Sequence, residues 1–175
     1  MAGIIKVNQY QDFNGNTLFT SDGNGNLTTM KTNYPAFLVD REGTDQDVNN
    51  QTLTTVQFNR KIKDTNNAFD LSNYKFTCPA GYPGLYHFTS TIQCDDDGET
   101  WSRVISYITH NDDARIVFDV EQTGTFNKTL SGSRALVLAE GDTVYCQVDL
   151  RTITASTPQL VGDNRTWFSG FRIGS

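Results

Sequence analysis

The side chains that could perform catalysis are few, and their spacing fits no catalytic arrangement. The 175-residue chain contains two histidines, His87 and His110, in separate segments and without HxH or HExxH spacing. Its three cysteines, Cys78, Cys94 and Cys146, form no CxxC pair, and no GxSxG motif occurs. We therefore expect no enzymatic activity, no catalytic metal and no cofactor. The cysteines are predicted to be free thiols buried on strands.

The clearest polar cluster is the acidic run Asp95-Asp96-Asp97-Gly98-Glu99. Clustered carboxylate oxygens on a loop are the ligands that calcium requires. These aspartates are consecutive, however, whereas an EF-hand loop alternates its ligands, and consecutive aspartates at a turn are typical of a solvated loop tip. The sequence therefore predicts a solvated turn, with a calcium site at Asp95, Asp96 and Asp97 as the alternative.

Two tryptophans, Trp101 and Trp167, each stand at the start of a predicted strand. An exposed tryptophan at the edge of a loop can stack on a sugar ring, because its large ring is apolar on both faces. Most tryptophans are instead packed in the core. We expect core packing for both residues and keep contact with a glycan as the alternative.

The charge balance narrows the classes of partner. The chain has 14 Lys plus Arg against 20 Asp plus Glu, which gives a net charge of -6. This excess of negative charge opposes binding to nucleic-acid phosphates and anionic lipid. The N-terminal residues lack the pattern of a secretory signal, and no apolar run reaches the ~18 residues of a membrane span. We therefore expect no nucleic acid or membrane partner and assembly in a cytoplasm.

The elements that must position these side chains are short strands. Residues 67–92 join two strand-like segments through Pro79, Gly81, Pro83 and Gly84, which cannot lie inside a central strand. Strand-like segments follow one another from residue 34 onwards, and no segment repeats its apolar residues at helical spacing. An all-β jelly roll is therefore predicted. Its predicted strands span 34–39, 53–58, 73–78, 85–92, 101–109, 114–120, 135–138, 143–150 and 167–173.

Three segments of the chain carry a resemblance to a known family: YKFTCPAGYPGLYHF (74–88), SGSRALVLAEGDTVYCQV (131–148) and TWFSGFRI (166–173). In sequence and in order they resemble the C1q and tumour necrosis factor superfamily. The resemblance implies a C1q/TNF-like jelly-roll head at 34–175 that assembles as a homotrimer. In this family the outer face of one sheet packs around a threefold axis. If the more apolar face of each strand fills the core, the residues predicted at the trimer interface are His87, Tyr145 and Phe168.

Residues 1–33 differ from the rest of the chain. Turn dipeptides at Asn14-Gly15 and Asn24-Gly25 indicate a short β-rich arm. One interpretation is a strand pair or a frayed terminus. The other is a docking arm that anchors the head to another protein through its apolar and aromatic residues, Ile4, Ile5, Val7, Tyr10 and Phe13. The segment is similar to the start of small bacteriophage virion proteins with the pattern KV…GNT…DGxGNLT.

Together these features predict a non-enzymatic phage structural protein. We expect a trimeric capsid decoration, or cement, protein that is found in the virion and assembled in the host cytoplasm. Its arm would bind the major capsid protein or another virion protein. One alternative is a tail-fibre or spike head that binds a host receptor or glycan. A second alternative is a soluble C1q/TNF-like recognition ligand.

Overall fold

The computed structural model describes residues 7–25, 27–29, 34–95, 98, 100–124, 128–153 and 157–174. Throughout these residues the regular structure is β, with no helix. The chain divides into two compact units, Met1–Asn33 and Tyr34–Ser175, which we call the arm and the head. The predicted all-β fold is confirmed.

The arm contains a small antiparallel sheet of order β1-β2-β3. Its strands are β1 (Gln9–Gln11), β2 (Thr17–Ser21) and β3 (Leu27–Thr29). Between β1 and β2, Oδ1 of Asp12 accepts hydrogen bonds from the backbone N–H groups of Asn14 (2.9 Å) and Asn16 (2.8 Å), and Gly15 takes a positive φ of 82°. The carboxylate and the glycine thus stabilise the turn that the Asn-Gly dipeptide predicts.

The head is a sandwich of two sheets. The first sheet has strand order β5-β15-β10-β16-β4-β7, and β13 pairs with the other edge of β10. These strands are β4 (Ala36–Arg41), β5 (Gln46–Asp47), β7 (Arg60–Asp64), β10 (Gly84–Asp95), β13 (Lys128–Leu138), β15 (Gln159–Leu160) and β16 (Thr166–Gly174).

The second sheet has strand order β12-β11-β14-β9-β8, and β6 also pairs with β14. Its strands are β6 (Thr54–Thr55), β8 (Phe69–Asp70), β9 (Lys75–Thr77), β11 (Trp101–His110), β12 (Asp113–Gly124) and β14 (Thr143–Thr152). Every strand pair in the head is antiparallel, which agrees with the jelly-roll expectation.

Strand β10 shows why the sequence folds in this way. Its even-numbered residues from Tyr86 to Cys94 are buried, while the residues between them are partly exposed. Strict alternation places one face of an extended chain in the core and the other at the surface. The predicted core face of this strand, Tyr86, Phe88, Ser90 and Ile92, is therefore confirmed.

The centre of the core is a cluster of aromatic rings. The ring centroid of Phe37 lies 5.0 Å from that of Phe76 and 5.1 Å from that of Phe168. Gly170 faces the same cluster, and a Cβ atom there would lie 2.5 Å from Cδ1 of Phe88 and 2.7 Å from Cε1 of Phe37. Phe88 and Phe37 lie on the two strands that flank β16 in the same sheet, and Gly170 leaves the space that their rings occupy.

Four strands, β5, β7, β8 and β15, fall outside the predicted strands, and a fifth, β13, begins earlier than predicted. Strand β7, RKIKD, was not predicted because it lies at the edge of its sheet and is rich in charge. Strand β13 begins at Lys128, seven residues before the predicted start. Its first half, KTLSGSR, has small and polar residues on its exposed face, so it lacks the apolar content by which strands are recognised.

Candidate interaction surfaces

The outward face of the first sheet carries an exposed apolar patch. Leu85, Val137, Phe171 and Ile173 are respectively 37%, 73%, 50% and 51% exposed in the isolated chain. Leu85 is paired with Val137 between β10 and β13, and His87 is paired with Phe171 between β10 and β16. We call Leu85, His87, Val137, Phe171 and Ile173 the outer patch. The patch exists because these strands place apolar residues on their solvent face as well as on their core face.

Small polar residues continue the same face along β10. Thr89 is paired with both Ser169 and Ser133, and the hydroxyls of Thr91 and Ser131 lie 3.0 Å apart. These side chains are short, so the surface beside the outer patch is flat and open to close approach by another protein.

The predicted interface residues are only partly brought together. His87 lies in the outer patch, with its ring centroid 5.6 Å from that of Phe171. The expectation that Phe168 points outward is wrong, because Phe168 is 0% exposed and belongs to the core. The sequence rule chose the more apolar face of β16 as the core face, whereas that face carries Trp167, Phe171 and Ile173 on the outside.

Tyr145 faces away from the core as expected, but from the second sheet, so it does not adjoin His87. Its hydroxyl donates a 2.8 Å hydrogen bond to Oδ1 of Asp112, and Nζ of Lys75 lies 4.2 Å from its ring centroid. Burial, assisted by the bond to Asp112, raises the pKa of Tyr145 to about 12. The expected placement of Tyr145 beside His87 on one sheet is therefore wrong.

The two tryptophans have different environments. Trp101 is 1% exposed and packs in the core, so it presents no ring to a ligand. The proposed glycan contact at Trp101 is therefore wrong. Trp167 is partly exposed, because its neighbours Thr166 and Phe168 are the residues that face inward. It lines an open groove of about 460 Å³ on the outward face of the first sheet, together with Leu38, Asp40, Arg60, Ile62 and Asn164.

The groove is built on one row of paired residues. Trp167 of β16 is paired with Asp40 of β4, which is paired with Arg60 of β7. Asp40 accepts from Nε of Arg60 at 2.8 Å through Oδ1 and from Nη2 at 2.5 Å through Oδ2. These bonds raise the pKa of Arg60, with the hydrogen bond to Asp40 as the largest cause.

Two further features shape the groove. The pairing of β4 with β7 shifts between Leu38 and Val39, so Ile62 is an extra, unpaired residue of a β-bulge. Asn164 lies in the turn before β16 with φ of 64°, and its Oδ1 accepts a 2.5 Å hydrogen bond from Nη2 of Arg60. The bulge and the turn place one apolar and one polar side chain at the rim.

The acidic run lies mostly outside the described residues. Asp95 is the last residue of β10, where it is paired with Gln159, and Asp96 and Asp97 fall among the residues that are not described. Over the described ranges, no three His, Cys, Asp or Glu side chains are grouped so as to bind a metal ion. The alternative calcium site stays a prediction.

His110 and the three cysteines occupy structural positions. Nε2 of His110 lies 3.1 Å from Oδ2 of Asp142, and the same carboxylate accepts the backbone N–H of Ala139. The prediction of buried free thiols is confirmed for all three cysteines. Burial raises the pKa of each thiol, which keeps the sulfur in its less nucleophilic protonated form.

The arm presents its apolar side chains to solvent. Val7 and Tyr10 are partly exposed and Phe13 is fully exposed, whereas Ile4 and Ile5 lie outside the described residues. The rings of Tyr10 and Phe19 lie 4.3 Å apart and hold the small sheet together. In the described part of the chain, no helix is long and apolar enough to span a membrane.

Comparison with known proteins agrees with this architecture. A family model described as the C1q domain matches residues 36–173. The globular domain of the zebrafish complement 1qA protein is similar in structure, with 23% identity and a TM-score of 0.61, covering 81% of this chain and 98% of that one. Murine APRIL at pH 5.0 is also similar, with 8% identity and a TM-score of 0.57, covering 80% and 99%. No curated protein matches the chain.

Proposed function

Because the chain belongs to the C1q domain family over residues 36–173, we propose that its head is a non-enzymatic module that forms a homotrimer through the outer patch. We further propose that the arm anchors this trimer to a phage capsid as a decoration protein. Domains of this family commonly self-associate as trimers. The observation that carries the proposal is the exposed apolar face of the first sheet.

The outer patch supports self-association on physical grounds. It combines four large apolar side chains with a flat border of threonine and serine. Monomeric proteins seldom expose contiguous apolar surface of this kind, and patches rimmed by polar residues mark sites of association. Contact between copies of the head would remove the patch from water, which is the main favourable term in protein association.

The exposed apolar side chains of the arm favour its attachment to a larger assembly. Its described residues expose Val7, Tyr10, Leu18 and Phe13, which is a large apolar share for so short a segment. Its sequence also resembles the start of small phage virion proteins. A trimer would carry three arms, so each weak contact would be reinforced by the others at high effective concentration. Binding to a regular shell would therefore depend on avidity.

Two measurements test the proposal separately. Sedimentation velocity of the purified protein at micromolar concentration should give the mass of a trimer, and a monomer would contradict the proposed head assembly. Adding the protein to capsids stripped of it and imaging them by electron microscopy should give regular density over the shell. Bare shells would contradict the decoration role.

A deletion isolates the role of the arm. A chain that lacks residues 1–32 should remain a folded trimer but should no longer bind the stripped capsids. Phe13→Ser is the milder variant, since Phe13 contacts solvent and its loss should leave the head unchanged. If the truncated trimer still decorates the shell, the arm is not the anchor.

A second function, a receptor-binding head of a tail fibre or spike, is favoured by one observation. Trp167 lines a groove that also contains an ordered ion pair and an amide, a combination suited to a polar ligand with apolar faces. Particles or purified protein should then bind to host cells, and a Trp167→Ala protein should bind less.

A further inference from the structure

We propose that protonation of His87 makes the homotrimer dissociate on acidification, so that the outer patch is a pH-sensitive interface. This inference rests on the proposed function, because it concerns the regulation of the interface through which the trimer forms. His87 is the titratable member of the outer patch, whose other members are Leu85, Val137, Phe171 and Ile173. Its charge therefore decides whether this surface is apolar or cationic.

The strands around His87 offer it no negative charge. His87 is paired with Ala135 of β13 on one side and with Phe171 of β16 on the other. Its ring centroid lies 5.6 Å from that of Phe171, with an angle of 46° between the ring planes. The residues two positions away on the same face of these three strands are uncharged as well: Leu85, Thr89, Ser133, Val137, Ser169 and Ile173. A protonated imidazole would therefore have no carboxylate beside it on these strands.

The charged side chains of the adjoining strands are directed elsewhere. Beside His87, β13 carries Arg134 on its opposite face. On β16, Arg172 donates to the carbonyl oxygen of Pro83 through Nε at 3.1 Å and through Nη2 at 2.7 Å. On β4, which lies beyond β16, the carboxylate of Asp40 accepts two hydrogen bonds from Arg60. None of these groups is placed to neutralise a positive charge on His87.

Burial in the trimer makes this charge costly. Assembly through the outer patch would separate His87 from water and surround its ring with the apolar side chains of Leu85, Val137, Phe171 and Ile173. Transfer of an ionised group to such surroundings without a partner is strongly unfavourable, whereas a neutral imidazole is accommodated at much lower cost. Separated heads can bind the proton and the trimer excludes it. A fall in pH therefore favours dissociation.

The second histidine, His110, has the opposite environment. It ends β11 in the second sheet, and its Nε2 lies 3.1 Å from Oδ2 of Asp142. A carboxylate at this distance favours the protonated imidazole, so acidification does not oppose this contact. The chain has two histidines, and histidine is the side chain that ordinarily changes charge between pH 5 and 8. Substitution of one histidine at a time therefore assigns an effect of pH in this interval.

The test is the association constant of the full-length protein as a function of pH. If one proton for each His87 binds only to the separated heads, the constant for three heads falls by a factor of about 10³ per pH unit below about pH 6. The concentration at half dissociation should therefore rise about 30-fold per pH unit, because it varies with the square root of that constant. Sedimentation equilibrium over a dilution series between about pH 7.5 and about pH 5.5 measures this shift. Circular dichroism of the same samples should show a folded head.

Matched variants assign the effect to His87. His87→Gln keeps a polar side chain that does not titrate, so its trimer should be independent of pH across the same interval. His87→Lys carries a positive charge at every pH of the series and should dissociate at neutral pH as the wild type does in acid. His110→Gln is the control, because it leaves the outer patch unchanged and should retain the pH dependence of the wild type.

Subunit exchange between two fluorescently labelled preparations gives a second readout if the trimer is too stable to dissociate on dilution, and exchange should be faster in acid. A trimer whose association constant and exchange rate do not change with pH would overturn the inference and leave the proposed assembly intact. An undiminished pH dependence in His87→Gln would also overturn it. A monomer at neutral pH would instead contradict the proposed trimer itself, and the inference with it.

Discussion

Substitution of Phe171 by alanine gives the sharpest test of the outer patch. A phenylalanine side chain contributes about 200 Å² of surface, and Phe171 is 50% exposed in the isolated head. About 100 Å² of it would be covered in a trimer, which at about 25 cal/mol per Å² contributes roughly 2.5 kcal/mol per subunit. Because alanine would retain a small part of this area, the loss is about 2 kcal/mol per subunit.

The effect on assembly follows from the stoichiometry. Three copies of the substitution would weaken the trimer by about 6 kcal/mol, which is a factor of about 10⁴ in the association constant. For a monomer–trimer equilibrium, the concentration at half dissociation varies with the square root of that constant. Phe171→Ala should therefore raise it about 100-fold. Sedimentation equilibrium over a dilution series, followed by fluorescence at low concentration, measures this shift.

Leu53→Ala is the matched control. Leu53 is 46% exposed, similar to Phe171, but it precedes β6 in the second sheet and lies outside the outer patch. Its substitution should leave the concentration at half dissociation unchanged, and far-UV circular dichroism should show a folded head in both variants. Equal dissociation of wild type and Phe171→Ala would refute the reasoning, because the patch would then contribute no buried area to the trimer.

Three further predictions concern the head itself. Gly170→Ala should lower the free energy of unfolding by about 1–3 kcal/mol in urea denaturation, because its Cβ atom would overlap the Phe88 ring; unchanged stability would contradict the close packing. The pKa of Tyr145 is raised to about 12 in the folded protein, so the stability that its protonated hydroxyl contributes is complete below the unfolded pKa of about 10. That contribution is lost as the pH rises towards 12. Between about pH 10 and 12, the stability of Tyr145→Phe should therefore fall less steeply than that of the wild type, by about 1.4 kcal/mol per pH unit. At neutral pH the substitution should lower the free energy of unfolding by less than about 1 kcal/mol, because Asp112 is exposed. An identical alkaline slope in the two proteins would contradict this. Ellman's reagent should label the three cysteines at neutral pH only on unfolding, and rapid labelling of the native protein would show that the burial is incomplete; the thiols concerned are Cys78, Cys94 and Cys146.

The fold could be predicted from the sequence because its signals are local. Proline and glycine between residues 79 and 84 end one strand and begin the next, and the alternation from Tyr86 to Ile92 fixes the core face of β10. The edge strand β7 was missed because its exposed, charged residues satisfy no apolar pattern. Alternation therefore identifies strands that have one buried apolar face and fails for an edge strand as rich in charge as β7.

The interaction surfaces were harder to predict, because the apolar periodicity of a strand does not indicate which face is buried when both faces carry apolar residues. Strand β16 carries aromatic residues on both faces, and the number of apolar residues favoured the wrong one. Gly170 could have identified the buried face of β16, because a glycine between Phe168 and Phe171 marks the face on which other rings approach the backbone. The resemblance to the C1q and tumour necrosis factor superfamily implied that the outer face of one sheet forms the trimer interface. It did not indicate that Tyr145 belongs to the other sheet.

The groove could not be found from sequence because its parts are distant along the chain. Asp40, Arg60 and Trp167 come together only through the pairing of β4 with both β7 and β16. Of these residues the sequence singled out only Trp167, as one of two tryptophans at the start of a predicted strand. The same reasoning allowed a glycan contact at Trp101, which is in fact buried. Burial separates the two residues, and burial follows from the strand register that only the structure gives.

The charged edge strand β7 affects whether neighbouring heads can pair edge to edge when they are crowded together. Strand β7 ends its sheet with the sequence RKIKD and is interrupted by the bulge at Ile62. An edge strand with unpaired backbone groups is a template on which a second chain can add, and lysines and bulges prevent that addition. Even at the high local concentration of a regular array, continuous sheets from head to head, and the fibres they would form, are therefore disfavoured.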